Sequence, residues 1–272
     1  MCEFCIKHGD GKTWYLQARN YSLDLIKNKK RFKDLLNWLL AETKPSGDDG
    51  LGKLRSLIRL PIVGRAASRL LTKKMKQDHF GQVIPLEDVK KVFELVDAIH
   101  GFPCICRRYL LHKEDERYCF ALGMFGKDFL DDMPTFGGGL EELTVEEACA
   151  RAEAFEEQGL VHTIWTLDTP FIIGLCSCKP GECLAMEMNL RMKTKVMFRG
   201  EYLFRIDPEK CIGCRKCLDT CYFDAIDYHE SKKKCVINTY KCHGCGLCRR
   251  MCPVGAAYRV ERPADMKTPS AY

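Results

Sequence analysis

Hydrophobic positions repeat at helical spacing through the first part of the chain. A helical period runs over residues 14–42, and two apolar stripes, separated by Pro61, lie within residues 51–77. The segment 51–77 also carries eight Lys or Arg residues and no acidic residue. The pattern predicts a helical N-terminal region that contains a basic amphipathic stretch. Such a stretch can pack on the body of the protein, lie on an anionic membrane surface as a peripheral contact, or dock on an acidic partner.

The pattern changes to a mixture of helices and strands in the middle of the chain. A helix is predicted from Pro85 to about His100, and a capping box opens a second helix over 145–158. The apolar runs 160–165 and 171–174 predict strands. The pattern therefore predicts a mixed α/β unit in this region and the α+β class for the whole chain.

Composition narrows the class of protein. The chain has 272 residues, 46% of them hydrophobic and 29% charged, which is ordinary for a globular protein and excludes wholesale disorder. It also has 18 cysteines, and it shows neither a signal-like start nor an uncharged stretch long enough to cross a bilayer. We therefore expect a cytoplasmic protein whose cysteines bind metal rather than form disulfides.

Nine cysteines lie between Cys211 and Cys252, and eight of them form an internal repeat. A C-x2-C-x2-C-x3-C run occurs twice, with the second copy shifted by 31 residues. Three thiols two residues apart can surround one corner of an iron–sulfur cubane, and the fourth points to the neighbouring cluster. The spacing predicts a first cluster group and a second cluster group, each holding one [4Fe–4S] cluster. The first consists of Cys211, Cys214, Cys217 and Cys252, and the second of Cys242, Cys245, Cys248 and Cys221.

This segment resembles the bacterial-type ferredoxins that carry two [4Fe–4S] clusters. The resemblance covers residues 201–261 and implies a small pseudo-twofold β-α-β fold, with strands near 202–206, 225–229, 234–238 and 256–260. Cys252 is followed by the Pro that is usual in that family, but Cys221 is followed by Tyr222. The segment is also basic, so a redox partner with an acidic docking face is expected.

The middle of the chain holds a second set of thiols. These six middle cysteines are Cys104, Cys106, Cys119, Cys176, Cys178 and Cys183. Both C-x-C pairs are expected in extended segments, where alternate side chains share a face. The layout predicts a third metal site with one or two additional iron–sulfur clusters, or alternatively zinc. The pair Cys2 and Cys5 is a further possible contributor, while Cys149 and Cys235 are interpreted as structural thiols.

Two other features of the middle region enter the prediction. His162 lies near the thiols and is either a ligand, a proton relay or a hydrogen-bonded strand residue. The layout as a whole looks like multidomain ferredoxin-like iron–sulfur proteins of anaerobes. Four segments are expected, comprising a helical region (1–80), a Cys-rich α+β middle domain (81–200), the two-cluster domain (201–262) and a tail (263–272).

Low-potential electron transfer is therefore the predicted function, with redox proteins or enzymes as partners and no nucleic acid expected. The alternative is an oxidoreductase, or a subunit of one, whose middle metal site is catalytic. A stand-alone enzyme is less favoured because no G-x-S-x-G, H-E-x-x-H or G-x-G-x-x-G motif occurs.

Overall fold

The structure is a computed structural model. It describes residues 3–30, 32–34, 63–78, 81–123, 139–167, 169–192, 194–263 and 266. Cys2 and the first part of the basic segment, residues 51–62, lie outside the described residues, so the structure does not bear on the predictions made for them.

The N-terminal region begins with helix α1 (Glu3–His8) and then forms short 3-10 turns instead of a long helix. These turns are Trp14–Leu16, Ala18–Tyr21 and Leu23–Leu25. The prediction of a continuous helix is therefore wrong over residues 14–25. Trp14 donates to Gln82 Oε1 at 2.5 Å, and Tyr15 donates to Asp88 Oδ2 at 2.7 Å. Both aromatic neighbours are buried against the middle domain, which a single helical face could not achieve.

Helix α2 (Val63–Asp78) confirms a helix in the second half of the basic stretch. Among the helices of the described ranges, none combines the length and apolar character that crossing a bilayer requires.

A seven-stranded sheet forms the middle domain, in the order β4-β2-β3-β6-β5-β1-β7. Its strands are β1 (Gly81–Val83), β2 (Ile99–Phe102), β3 (Cys119–Leu122), β4 (Glu141–Leu143), β5 (Val161–Thr166), β6 (Ile172–Cys178) and β7 (Met197–Phe198). Neighbouring strands are antiparallel except β1 and β7, which are parallel. The predicted strands in this region are confirmed as β5 and β6.

In the described ranges, four helices accompany the sheet. They are α3 (Leu86–Leu95), α4 (Ile105–Leu111), α5 (Val145–Glu157) and α6 (Leu184–Leu190). The capping box of α5 is confirmed, because Thr144 and Glu147 satisfy each other's backbone N–H groups. The predicted helix to about His100 instead ends at Leu95, because residues 99–102 pair with both β3 and β4.

The C-terminal domain contains two interlocked β-α-β copies. The first copy is β8 (Tyr202–Ile206), α7 (Lys216–Thr220) and β9 (Ile226–His229), and the second is β10 (Lys234–Ile237), α8 (Leu247–Arg250) and β11 (Ala257–Glu261). Strand β8 pairs with β11 and β9 pairs with β10, both antiparallel. The pseudo-twofold fold implied by the resemblance is thus confirmed.

Candidate metal centres

Two glycines turn the repeated loops tightly against neighbouring backbone. Gly213 and Gly244 have φ angles of 69° and 81°. A Cβ atom would lie 2.2 Å from the carbonyl oxygen of Lys233 at the first position and 2.3 Å from that of Tyr202 at the second. Only glycine fits this close approach, which places the flanking thiols on the inner side of each loop.

The first cluster group lines one cavity with about 330 Å³ of space free of protein atoms. The side chains around it include all four thiols that the spacing assigns to the first cluster, Cys211, Cys214, Cys217 and Cys252. Cys214 is exposed, and Ile212 and Val254 at the rim are 63% and 40% exposed. The first group therefore faces solvent, and its four thiolates around one cavity fit a [4Fe–4S] cluster.

The second cluster group gathers in a more buried position. Burial, followed by the nearby charges of Cys245, Cys242 and Cys221, holds the pKa of Cys248 well above its usual range. Burial likewise raises the pKa of Cys245 to about 12. Cys245, Cys242 and Cys221, which act on Cys248, are the other three thiols that the spacing assigns to the second cluster, and Cys217 of the first group also contributes. Bound iron would offset their cost of ionisation, since metal ligation deprotonates thiols outright.

The repeat extends to hydrogen bonds on the ligand sulfurs. The backbone N–H of Ala225 donates to Cys221 Sγ at 3.3 Å, and that of Ala256 donates to Cys252 Sγ at 3.2 Å. Such N–H···S bonds favour the thiolate and tune the potential of a bound cluster.

Cys235 lies closer to the first cluster group than the sequence analysis recognised. It is buried in β10, lines the same cavity, and its thiol contacts that of Cys217. Burial alternates along β10, with Cys235 and Ile237 buried and Val236 exposed, so the side chain of Cys235 points inward.

Basic side chains near the clusters are largely paired within the chain. Arg215 bonds Glu230 at 3.1 Å and stacks on Tyr228, and Lys241 bonds Asp224 at 2.9 Å. Arg249 and Arg250 reach back to the middle domain, where they pair with Glu87 and Glu157 respectively. These last two arginines therefore help to fix the domains together.

The middle cysteines come from two helix starts and two neighbouring strands. Cys104 caps α4 and Cys106 lies in its first turn, so the expectation of an extended segment there is wrong. Cys119 on β3 stands directly opposite Cys176 on β6. The other two, Cys178 and Cys183, end β6 and cap α6.

These six thiols form a continuous row. The sulfurs of Cys104 and Cys119 lie 3.6 Å apart, and those of Cys178 and Cys183 lie 3.2 Å apart. Cys106 connects the two pairs through contacts with Cys104 and Cys183, and the thiol of Cys176 contacts that of Cys119. Tertiary structure thus brings together all six residues that the sequence proposed for a third site.

No group of three or more cysteine, histidine or acidic side chains is arranged to hold a metal ion as it stands, within the described ranges. The same holds for the thiols of the two cluster groups and for the middle cysteines. The middle thiols approach each other in pairs along a row and do not close around one point.

A buried arginine sits beside Cys104, inside the row. Arg107 places its Nη1 3.8 Å from Cys104 Sγ, pairs with Glu182 at 2.6 Å and Glu116 at 3.3 Å, and stacks on the ring of Tyr118. Contacts from the neighbouring thiols, and then this guanidinium, hold the pKa of Cys104 well below its usual range. Cys104 is therefore the thiol most readily ionised in the row.

His162 lies on the opposite face of the sheet. Its Nδ1 is 3.1 Å from Ser177 Oγ, whereas the adjacent Thr163 contacts Cys178 Sγ at 3.6 Å. Because side chains alternate along a strand, His162 points away from the thiols. Burial lowers the pKa of His162 to about 4, so it is a neutral, hydrogen-bonded core residue.

Two further cysteines are separate from the row. Cys5 is buried in the main hydrophobic core beside Trp14, and Cys149 packs at the edge of that core. Ligation by the Cys2 and Cys5 pair remains a prediction, since Cys2 lies outside the described residues.

One packed cluster joins the middle cysteines to the second cluster group. It contains Cys178 and Cys183 together with Cys221 and Cys245. Tyr222, which replaces the usual proline, donates its hydroxyl to the carbonyl oxygen of Gly159 at 3.0 Å. The departure from the family pattern thus links the loop to the middle domain without displacing Cys221.

The repeated loops, their thiols and the paired β-α-β units define an iron–sulfur domain of the ferredoxin class. Residues 204–259 match a family model described as a 4Fe-4S dicluster domain. Ferredoxin-3 of Rhodobacter capsulatus is 33% identical over 19% of this chain and 74% of its own length. An uncharacterized ferredoxin of Methanocaldococcus jannaschii is 36% identical over 19% of this chain and 69% of its own length. Through its C-terminal domain the chain belongs to the dicluster ferredoxin family.

The same domain occurs in larger proteins. Subunit IorA of indolepyruvate oxidoreductase from Pyrococcus horikoshii is 36% identical over 21% of this chain, and the match spans only 9% of the IorA length. The domain therefore supports iron–sulfur electron transfer as the general role.

Proposed function

We propose that this chain is a low-potential electron-transfer protein of the anaerobic cytoplasm that carries two [4Fe–4S] clusters. The ligands are the first and second cluster groups, assigned as the sequence spacing predicts. The six middle cysteines supply at least one further metal site. When bound, each [4Fe–4S] cluster exchanges one electron at a time.

The unequal exposure of the two cluster groups carries this proposal. Cys214 is exposed at the rim of the first cavity, whereas Cys248 is buried and the second group packs against the middle domain. Electron transfer needs close approach, so the first group is the contact point for external redox partners. The second group then connects that surface to the interior.

Oxidoreductases are the proposed partners. The related domains occur in proteins named as subunit IorA of an indolepyruvate oxidoreductase and as an archaeal-type glutamate synthase from Thermotoga maritima. An acidic docking face on the partner would complement exposed Lys210 and Lys216, which lie next to the first group. Peripheral membrane contact through residues 51–77 belongs to the same proposal.

The test removes one cluster at a time. Cys211→Ala/Cys214→Ala and Cys245→Ala/Cys248→Ala are purified anaerobically beside Cys149→Ser as the matched control. Each double variant is expected to lose about four irons and the control none. With a reduced viologen as the donor, loss of the first cluster should slow reduction of the second, whereas loss of the second should leave reduction of the first unchanged. Retention of all iron, or equal effects on both rates, contradicts the proposal.

A second candidate function has a specific observation in its favour. Cys176, at the end of the row beside Cys119, is partly exposed, so a small molecule has access to that site. In this case the middle metal centre is catalytic and the ferredoxin domain supplies its electrons. Faster reoxidation of the reduced protein by one class of substrate, abolished in Cys176→Ser, would distinguish this function from simple electron transfer.

A further inference from the structure

The middle cysteines are spaced for small metal units. Two thiolates on one tetrahedral metal ion lie about 3.8 Å apart when the metal–sulfur bond is about 2.3 Å. The sulfurs of Cys104 and Cys119 are separated by 3.6 Å, and those of Cys178 and Cys183 by 3.2 Å. Each pair is therefore close to the separation that two ligands of one metal ion adopt.

The pairing distinguishes a two-iron centre from zinc. A structural zinc ion needs four protein ligands around one point, whereas the two short sulfur–sulfur distances, 3.6 Å and 3.2 Å, belong to two different pairs of thiols. In a [2Fe–2S] cluster each iron takes only two cysteines, because the two sulfide ions provide its remaining ligands. Two separate thiol pairs match that requirement.

The remaining two thiols, Cys106 and Cys176, lie beside the two pairs. Cys106 contacts both Cys104 and Cys183, and Cys176 contacts Cys119. Each can donate an S–H hydrogen bond to a ligand sulfur, which raises the potential of a bound cluster. Arg107 adds a positive charge beside Cys104, because its Nη1 lies 3.8 Å from Cys104 Sγ.

The packing around the row favours a redox metal. Cys178 and Cys183 share one hydrophobic cluster with Cys221 and Cys245 of the second cluster group. Apolar packing between two metal centres excludes water and leaves a short path for an electron. A zinc ion in this position could not exchange electrons with the cluster, because zinc has no redox chemistry.

We propose that the middle domain holds a [2Fe–2S] centre, with Cys104 and Cys119 on one iron and Cys178 and Cys183 on the other, which exchanges electrons with the second ferredoxin cluster. This proposal rests on the proposed function for its electron donor. One electron leaves the reduced [4Fe–4S] cluster, which becomes oxidised by one unit, and reduces one ferric iron of the middle centre to ferrous iron. No bond is made or broken.

Metal analysis of the wild-type protein is the first test and depends on no variant. Anaerobically purified protein should contain about ten irons and about ten sulfides per chain and no stoichiometric zinc. After reduction with dithionite, electron paramagnetic resonance should show a slowly relaxing signal that persists at temperatures where the cubane signals have broadened.

Four variants then test the ligand assignment. Cys178→Ser/Cys183→Ser and Cys104→Ser/Cys119→Ser should each lose about two irons together with the slowly relaxing signal. Cys106→Ala and Cys149→Ser are the matched controls and should retain all iron. The potential of the middle centre should fall in Cys106→Ala, which removes the S–H donor, and stay unchanged in Cys149→Ser.

The outcomes separate the two proposals. About eight irons alone, eight irons with zinc, or about twelve irons would overturn the [2Fe–2S] centre while leaving the ferredoxin clusters in place. Ten irons that persist in both double variants would overturn the ligand assignment. Absence of the cubane signals with the middle signal retained would instead overturn the proposed function.

Discussion

The tight loop at Gly213 provides a sharp test of how the ferredoxin repeat holds its ligands. Gly213→Ala introduces a Cβ atom 2.2 Å from the carbonyl oxygen of Lys233, at a φ angle of 69°. Gly255 is the matched control, because it has a φ angle of 60° and a Cβ there meets no atom within 4 Å. The two substitutions share backbone strain and differ only in the steric clash.

The expected losses of stability follow from the backbone strain and from the steric clash. A left-handed conformation costs a non-glycine residue about 1–2 kcal/mol, and loss of glycine's freedom in the unfolded chain returns about 0.4–1 kcal/mol. Gly255→Ala should therefore lower stability by about 1 kcal/mol. Gly213→Ala must also displace the Lys233 backbone, and overpacking of this kind costs about 1–3 kcal/mol more.

An anaerobic thermal scan that follows the visible absorbance of the clusters measures the difference. A domain of about 60 residues shifts its melting temperature by about 4–8 °C per kcal/mol, so Gly213→Ala should melt about 4–24 °C below Gly255→Ala. Gly244→Ala, where the Cβ would lie 2.3 Å from the Tyr202 carbonyl oxygen, should behave like Gly213→Ala. Equal melting temperatures for Gly213→Ala and Gly255→Ala would refute the steric argument.

Two further predictions concern the contact between the domains. Burial raises the pKa of Glu156 from its usual 4.5 to about 6. The folded protein therefore binds this proton more tightly than the unfolded chain does. The contribution of this group to the free energy of unfolding is complete below about pH 4.5 and is lost as the pH rises through about 6. Glu156→Gln should be more stable than wild type by about 1 kcal/mol at pH 8, with the gap closing to near zero at pH 4, in urea unfolding; a gap that is the same at both pH values would count against it. Arg262 donates at 2.8–2.9 Å to the carbonyl oxygens of Gly200, Tyr202 and Cys242. Because an ammonium group cannot satisfy all three, Arg262→Lys should lower the free energy of unfolding by about 2–4 kcal/mol, and a urea midpoint equal to that of wild type would contradict this role.

Local sequence was sufficient wherever one short segment determined its own structure. The two C-x2-C-x2-C-x3-C runs predict the members of both cluster groups, because ligand spacing within a loop depends on few residues. Helix α5 was predictable from Thr144 and Glu147 for the same reason, since a capping box is satisfied within one turn.

Prediction failed where distant partners outweighed local preference. The helical period over residues 14–25 gave way to 3-10 turns because Trp14 and Tyr15 bond to Gln82 and Asp88 in the middle domain. The segment around Cys106 became helical, with Cys104 at the N-cap position of α4, which the C-x-C spacing alone did not reveal.

The sequence by itself predicted two cluster groups of four thiols each and six further thiols as candidates for another metal site. Only tertiary structure decided how those six meet. The strand register sets Cys119 opposite Cys176, and two helix starts bring Cys104 and Cys183 to the same row. It also placed the second cluster group, and not the first, against that row. The physical reason is that thiol spacing within a loop is a local property, whereas contact between loops depends on long-range strand pairing and on the packing of apolar side chains between domains.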